Sequence, residues 1–287
     1  MSLPPSPSHF IWDHTLAAPS LGGALTLRME AETLLSCTPG APLRLCERGG
    51  VAETPALTRL RNAVFGSSVH PLLRCGNGDA CGEDGWPPRQ QRESGEFSPH
   101  STERLAELYR ERSGPPVLAW SPALVRQADD IIASCDRPVV CIHLRNTAAG
   151  LAEESCAQPG SWLPWLEHTA REGRVSLVLV GDDPLLPGFR ATPRLLHASG
   201  EGFPLELQLA LVSRARAFLG MASGVCCAAM FSTTPYVIFK HPRHHSEAMR
   251  REVGGGARLP FAGPNQHFWQ REAGRDEISK AFSLLIP

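Results

Sequence analysis

The chain has 287 residues, 42% of them hydrophobic, and carries 28 Lys plus Arg against 29 Asp plus Glu, a formal net charge of -1 at pH 7. That length exceeds one average domain and suits two of about 120–160 residues each. The balanced charge excludes a basic field for nucleic acid, and no apolar run approaches the ~20 residues a membrane helix needs.

The first half reads as short α/β units. "HFIWDH" is long enough for one strand, "TLAAPSLGG" is loop-like, and "ALTLRMEAETLLSC" has apolar residues at helical spacing. "TPGAP" breaks the chain before a second strand, "LRLCE". "TPALTRLRNAVFG" is a helix with Thr54 as cap, Pro55 at its first position and Gly66 beyond its end. "VHPLLRC" is a third strand, confined to an edge by Pro71. Residues 76–100, rich in Gly, Pro and charge, form an irregular loop. Helices resume at "STERLAELYRER" and "SPALVRQADDIIASC", and a domain boundary falls between 120 and 121.

The second half, 121–287, is more regular. "PVVCIHLR" is a near-continuous apolar run, as expected of a strand buried on both faces. There follow a helix, "SWLPWLEHTAREG", a second buried strand in "VSLVLVGDD", a helix, "PLELQLALVSRA", a short strand, "RAFLGM", a helix of small residues, "ASGVCCAAMFST", and a strand, "PYVIFKH". Strand–helix alternation of this kind makes a doubly wound parallel sheet. Ligands in such sheets bind at the carboxyl ends of the strands. That selects residues 143–146, 181–183, 221–224 and 240–245.

Nine cysteines occur, several inside apolar runs where Cys packs as a small hydrophobe. The count is odd, no C-x-x-C is present, and "MSLPPSPSHF" lacks the pattern of a secretory signal. The expectation is a reduced, cytoplasmic protein.

Four strand ends carry candidate chemistry. In "HLRNT", His143 and Arg145 share a strand face, and Arg145 lies where the strand leaves the sheet. A guanidinium there bonds phosphate oxygens bidentately and does not lose its charge. The alternatives are an Arg that caps a helix or pairs with an acid, and a His143 satisfied within the core. In "GMASGVCCAAM", Gly220, Ser223 and Gly224 run into a helix start, offering amides and a hydroxyl to phosphate, or simply an N-cap. Asp182 and Asp183 face a ribose or close a turn. Lys240 meets a phosphate, whereas His241, His244 and His245 lack the further ligands of a metal site, so no metal is expected. In the first half, Asp13 or His14 ends the first strand and faces the interdomain cleft as a general base, or Asp13 closes a turn. Gly22 and Gly23 form an acceptor loop.

The second half, over about 138–240, resembles the donor-binding domain of GT-B glycosyltransferases. "IHLRNT" looks like the H-x-R motif of the fucosyltransferase group, although Asn146-Thr147 follow where that group usually continues Arg-Arg-Gly-Asp. "AFLGMASGVCCAAMFSTTPYVIF" is similar to a segment shared with heptosyltransferase-like families, with Cys226 and Cys227 where those carry a His. The resemblance implies an α/β protein of two Rossmann-like domains, an acceptor-side domain (1–120) and a nucleotide-sugar-binding domain (121–287). It implies that Arg145 and Ser223 hold a donor diphosphate, with Gly220 and Gly224 forming the turn. The expected activity is metal- and cofactor-free transfer of a sugar from a nucleotide-diphosphate sugar to a glycan or small-molecule hydroxyl. A nucleotide-sugar epimerase or hydrolase, and a non-catalytic nucleotide-binding relative, are the alternatives.

Overall fold

The computed structural model describes residues 7–36, 41–75, 85–94, 97–110, 116–146, 156–243, 246–253 and 257–287. The chain divides into two compact units, Met1–Pro122 and Ala123–Pro287.

In the first unit, β1 (Phe10–Asp13), β2 (Leu43–Arg48) and β3 (Leu72–Cys75) form a three-stranded parallel sheet in that order. A single parallel bridge joins Phe10 to Trp86 on the other side of β1. As Pro71 requires, β3 is an edge strand. Helix α1 (Leu21–Leu35) starts earlier than its apolar spacing indicates. The Ser20 hydroxyl accepts from the Gly23 amide at 3.3 Å, which caps the helix and places Gly22 and Gly23 in its first turn, not in a loop. Every residue from Gly22 to Leu35 is buried, including three charged ones. Arg28 donates to Glu32 at 2.7 Å, to the Val64 carbonyl at 2.7 Å and to the Ala119 carbonyl at 2.8 Å, and it stacks on Trp120. Glu30 accepts from the Trp86 indole at 2.6 Å and from Arg104 at 2.9 Å.

Thr54 caps α2 (Pro55–Arg61) as expected, accepting from the Leu57 amide at 3.1 Å, and the helix continues as a π turn over Asn62–Gly66. Residues 76–84 and 95–96 of the expected loop lie outside the described residues. The remainder holds one helical turn, α3 (Arg89–Arg92), ahead of α4 (Glu103–Arg110). The cysteines were expected to be reduced, but Cys46 in β2 is disulfide-bonded.

Helix α5 (Pro122–Ser134) runs from the boundary into the second unit. That unit is built on six parallel strands: β4 (Val139–His143), β5 (Ser176–Leu179), β6 (Leu195–His197), β7 (Ala217–Met221), β8 (Tyr236–Phe239) and β9 (Gln266–Trp269). Their spatial order is β6-β5-β4-β7-β8-β9. Counted within the unit this is third, second, first, fourth, fifth, sixth, the doubly wound order whose direction reverses between β4 and β7. Between the strands lie α6 (Pro159–Glu172), α7 (Leu205–Arg214), α8 (Cys226–Met230) and α9 (Ser246–Val253), and α10 (Arg275–Leu285) closes the chain. Gly173 takes φ +70 at the end of α6, the left-handed cap the sequence calls for.

One core cluster forms on one sheet face, where Val140, Ile142, Leu177, Leu219 and Phe239 meet Trp162 and Trp165 of α6 and Phe282 of α10. Truncating a side chain such as Trp162 there costs about 3–5 kcal/mol. Strand alternation turns Cys141 and His143 to the opposite face. Burial holds the Cys226 thiol up at about 11, so it packs as an inert hydrophobe. Among the described residues no helix is long and apolar enough to cross a membrane.

Candidate functional site: the crevice between strands β4 and β7

The two strands that flank the reversal of strand order carry the strongest candidates. His143 at the end of β4 is in register with Gly220 of β7. Gly220 makes no turn, contrary to expectation. It lies inside the strand, where a Cβ would fall 2.5 Å from the His143 carbonyl oxygen. Gly181 holds φ +104 beside the same residue, and its Cβ would lie 2.7 Å from His143 Nδ1. Both glycines allow close approach to His143, Gly220 to its backbone and Gly181 to its imidazole.

That imidazole is fully buried. Nδ1 meets the Val180 carbonyl at 2.9 Å, and Nε2 lies 3.7 Å from Asp183 Oδ2. Burial pulls His143 below its ordinary value, although the Val180 carbonyl and the Asp183 charge favour the proton. Burial thus favours the neutral imidazole, which is shut inside the sheet edge.

Arg145 leaves the strand and crosses the crevice, donating from Nη1 to the Ala222 carbonyl at 3.1 Å. Lys240 follows β8 on the far side of β7. Burial pulls its ammonium below the usual lysine range, Glu252 opposes this and the Arg145 charge adds to it. Among the described residues, neither cation has a carboxylate within ion-pair distance. Two cations held near each other with no carboxylate in ion-pair contact are costly in a partly buried setting.

Ser223, Gly224 and Val225 form the turn that faces them. The Ala222 amide donates to the Phe239 carbonyl at 2.9 Å, and the Cys226 and Cys227 amides donate to the Ser223 and Gly224 carbonyls at 3.2 Å. The Ser223 amide is turned to the Cys226 sulfur, and among the described residues the amides of Gly224 and Val225 donate to no backbone carbonyl. The expected long helix of small residues is only the five-residue α8, and Ser223 does not cap it. What the turn presents to an anion is therefore the amides of Gly224 and Val225, without a long helix dipole behind them.

The two adjacent aspartates at the end of β5 diverge. Asp182 is exposed and accepts from the Ser199 hydroxyl at 3.1 Å. Asp183 turns inward to the Asn146 amide at 3.2 Å. His241 follows Lys240, is buried, and lies 3.4 Å from Glu272. It lines a cavity of about 250 Å³ with Met221, Arg243 and Arg271, next to the crevice. Arg271 stacks on Trp269 at 4.7 Å. It escapes the sequence reading because β9 is missed there, although the alternation in "QHFW" is a usable strand signal. His244 and His245 lie outside the described residues, and the segment after them forms helix α9.

In the first unit, Asp13 ends β1, as expected. One carboxylate oxygen accepts from the Thr15 amide at 3.0 Å and hydroxyl at 2.6 Å, and the other lies 3.4 Å from Arg92 Nη1. Asp13, Ser20 and Gly23 border one small cavity. His14 is 2% exposed at its side chain, set edge-on to Trp12 and 3.7 Å from Glu47.

No family model and no curated protein sequence matches the chain. Solved structures do match it. A glycosyl transferase family 9 protein from Veillonella parvula DSM 2008 has a TM-score of 0.56 at 10% identity, covering 99% of both chains. The ADP-heptose lipopolysaccharide heptosyltransferase II of E. coli has a TM-score of 0.52 at 10% identity, covering 97% of this chain and 98% of that one. E. coli heptosyltransferase WaaC, solved with ADP-2-deoxy-2-fluoro heptose, has a TM-score of 0.52 at 11% identity, covering 96% and 99%. Identity this low speaks for architecture alone: from end to end, the chain has the GT-B fold found in glycosyltransferases.

Proposed function

We propose that this protein transfers a sugar from a nucleotide-diphosphate sugar to an acceptor hydroxyl without a bound metal. The observation that carries the proposal is the crevice between β4 and β7. Arg145 and Lys240 stand there with no carboxylate in ion-pair contact among the described residues, beside the turn whose Gly224 and Val225 amides donate to no backbone carbonyl. A diphosphate supplies the charge this arrangement lacks. Its leaving would be stabilised by a fixed guanidinium, an ammonium and oriented amides, the task a divalent cation performs elsewhere. The charge at these strand ends is cationic, the complement of a phosphate rather than of a metal–phosphate pair.

Asp182, exposed at the end of the unit's second strand, takes the ribose hydroxyls, the place an acidic residue occupies in doubly wound dinucleotide sites. Asp13 is the acceptor's general base. It ends a parallel strand, and the oxygen facing Arg92 is the less engaged of its two. The imidazole of His14 is too enclosed for that task. The proposed acceptor is a glycan or a small molecule bearing a hydroxyl.

Incubation with a panel of nucleotide sugars, reading nucleoside diphosphate release with and without candidate acceptors, tests the activity. Acceptor-dependent release that falls about 10²–10⁴-fold in Asp13→Asn is the expected result. Release that ignores the acceptor, or an undiminished Asp13→Asn, would assign the protein a different reaction.

A further inference from the structure

We infer that Asp183 and Asn146 are positioning residues that aim Arg145 across the crevice, an inference that rests on the donor-diphosphate site proposed above. The peptide joining Arg145 to Asn146 is held at both of its polar atoms. Its N–H donates to Asp183 Oδ1 at 3.2 Å, and its carbonyl accepts from the Ala157 amide at 2.7 Å. The Asn146 side chain adds two bonds, donating from Nδ2 to the Pro184 carbonyl at 2.9 Å and the Leu185 carbonyl at 3.2 Å. Asp183 is itself placed by the close approach around His143, its second oxygen 3.7 Å from the buried Nε2. The stretch after β4 is thus stitched to residues 183–185 after β5, and the guanidinium leaves from a fixed peptide plane.

A long side chain such as Arg loses affinity for its ligand when it must be ordered on binding. Here that ordering is supplied beforehand by groups that never touch the diphosphate. Asp183 contributes by accepting a hydrogen bond, so an amide oxygen in its place would keep most of the effect. Asp182, its neighbour in sequence, has no such role because it faces Ser199.

The test is calorimetric titration of the full chain with the nucleoside diphosphate that binds best, together with unliganded melting midpoints. Asp183→Ala and Asn146→Ala should each weaken binding about tenfold, the scale on which small misplacements act. Asp183→Asn should recover most of that loss. In the Arg145→Ala background, Asp183→Ala should cause no further loss, because the residue it positions is gone. Asn146→Ala opens the same clamp from its other side, so a folding defect at Asp183 does not decide the outcome. Wild-type affinity in both alanine variants, or a loss in Asp183→Ala that adds in full to that of Arg145→Ala, would overturn the inference. Absence of any nucleoside diphosphate binding by the wild type would instead remove the donor site, and the inference with it.

Discussion

Two residues set the scale of what a single side chain contributes here. Gly220 admits β4 against β7 because it has no Cβ, and the crevice holding Arg145 depends on that approach. Glu47 is the clearest titration. Burial alone would raise its carboxyl, but the neighbouring His14 imidazole, hydrogen bonds from Arg61 and the Arg61 charge overcome this and hold it at about 2. Its folded value lies below the ordinary 4.5, so the stability it adds is present above pH 4.5 and is lost as pH falls toward 2. Glu47→Gln should therefore unfold at lower urea than wild type at pH 6, and the gap should close as pH approaches 2. A gap that stays constant over that range would assign the effect to shape instead. The place of Arg145 just past a strand end was legible from sequence because the apolar run of β4 stops before it. The Asp183–Asn146 clamp was not, since its partners stand 37 residues apart and meet only through the neighbouring register of β4 and β5.

Among the elements, α1 departs most from what its sequence announces. Apolar spacing marked it as a helix, and helices so marked usually keep one wet face. Instead Arg28, Glu30 and Glu32 are buried and bonded to groups as distant as Ala119 and Trp86. Burial pulls Arg28 below and pushes Glu30 above their ordinary values, which registers the cost that the partners offset. Removing one partner leaves an uncompensated charge, so Glu32→Ala should cost about 3–5 kcal/mol in chemical denaturation. A loss below about 1 kcal/mol, the level of a surface pair, would mean that Arg28 finds solvent or another acceptor. No periodicity encodes that network, because its partners, from Val64 and Ser67 to Trp86, Arg104 and Ala119, are supplied by tertiary packing. Helix α8 fails in the other direction. Small residues allow close packing against the sheet, but they do not fix a helix's length, and five residues are all that form.

For the whole molecule, the second unit was legible because parallel strands buried on both faces write continuous apolar runs. From those runs the strand ends followed, and with them Arg145, Ser223 and Lys240. The short strands β6 and β9 were missed for want of such a run. The heptosyltransferase fold persists at 10–11% identity, which shows how little sequence two Rossmann-like units require. The central claim is that the crevice between β4 and β7 binds a nucleoside diphosphate through Arg145. Titration calorimetry of wild type and Arg145→Ala against ADP, GDP, UDP and CDP tests it most directly. Binding of at least one by the wild type, weakened tenfold or more in Arg145→Ala, is the predicted result. Failure of all four to bind, or equal affinity in the variant, would contradict it.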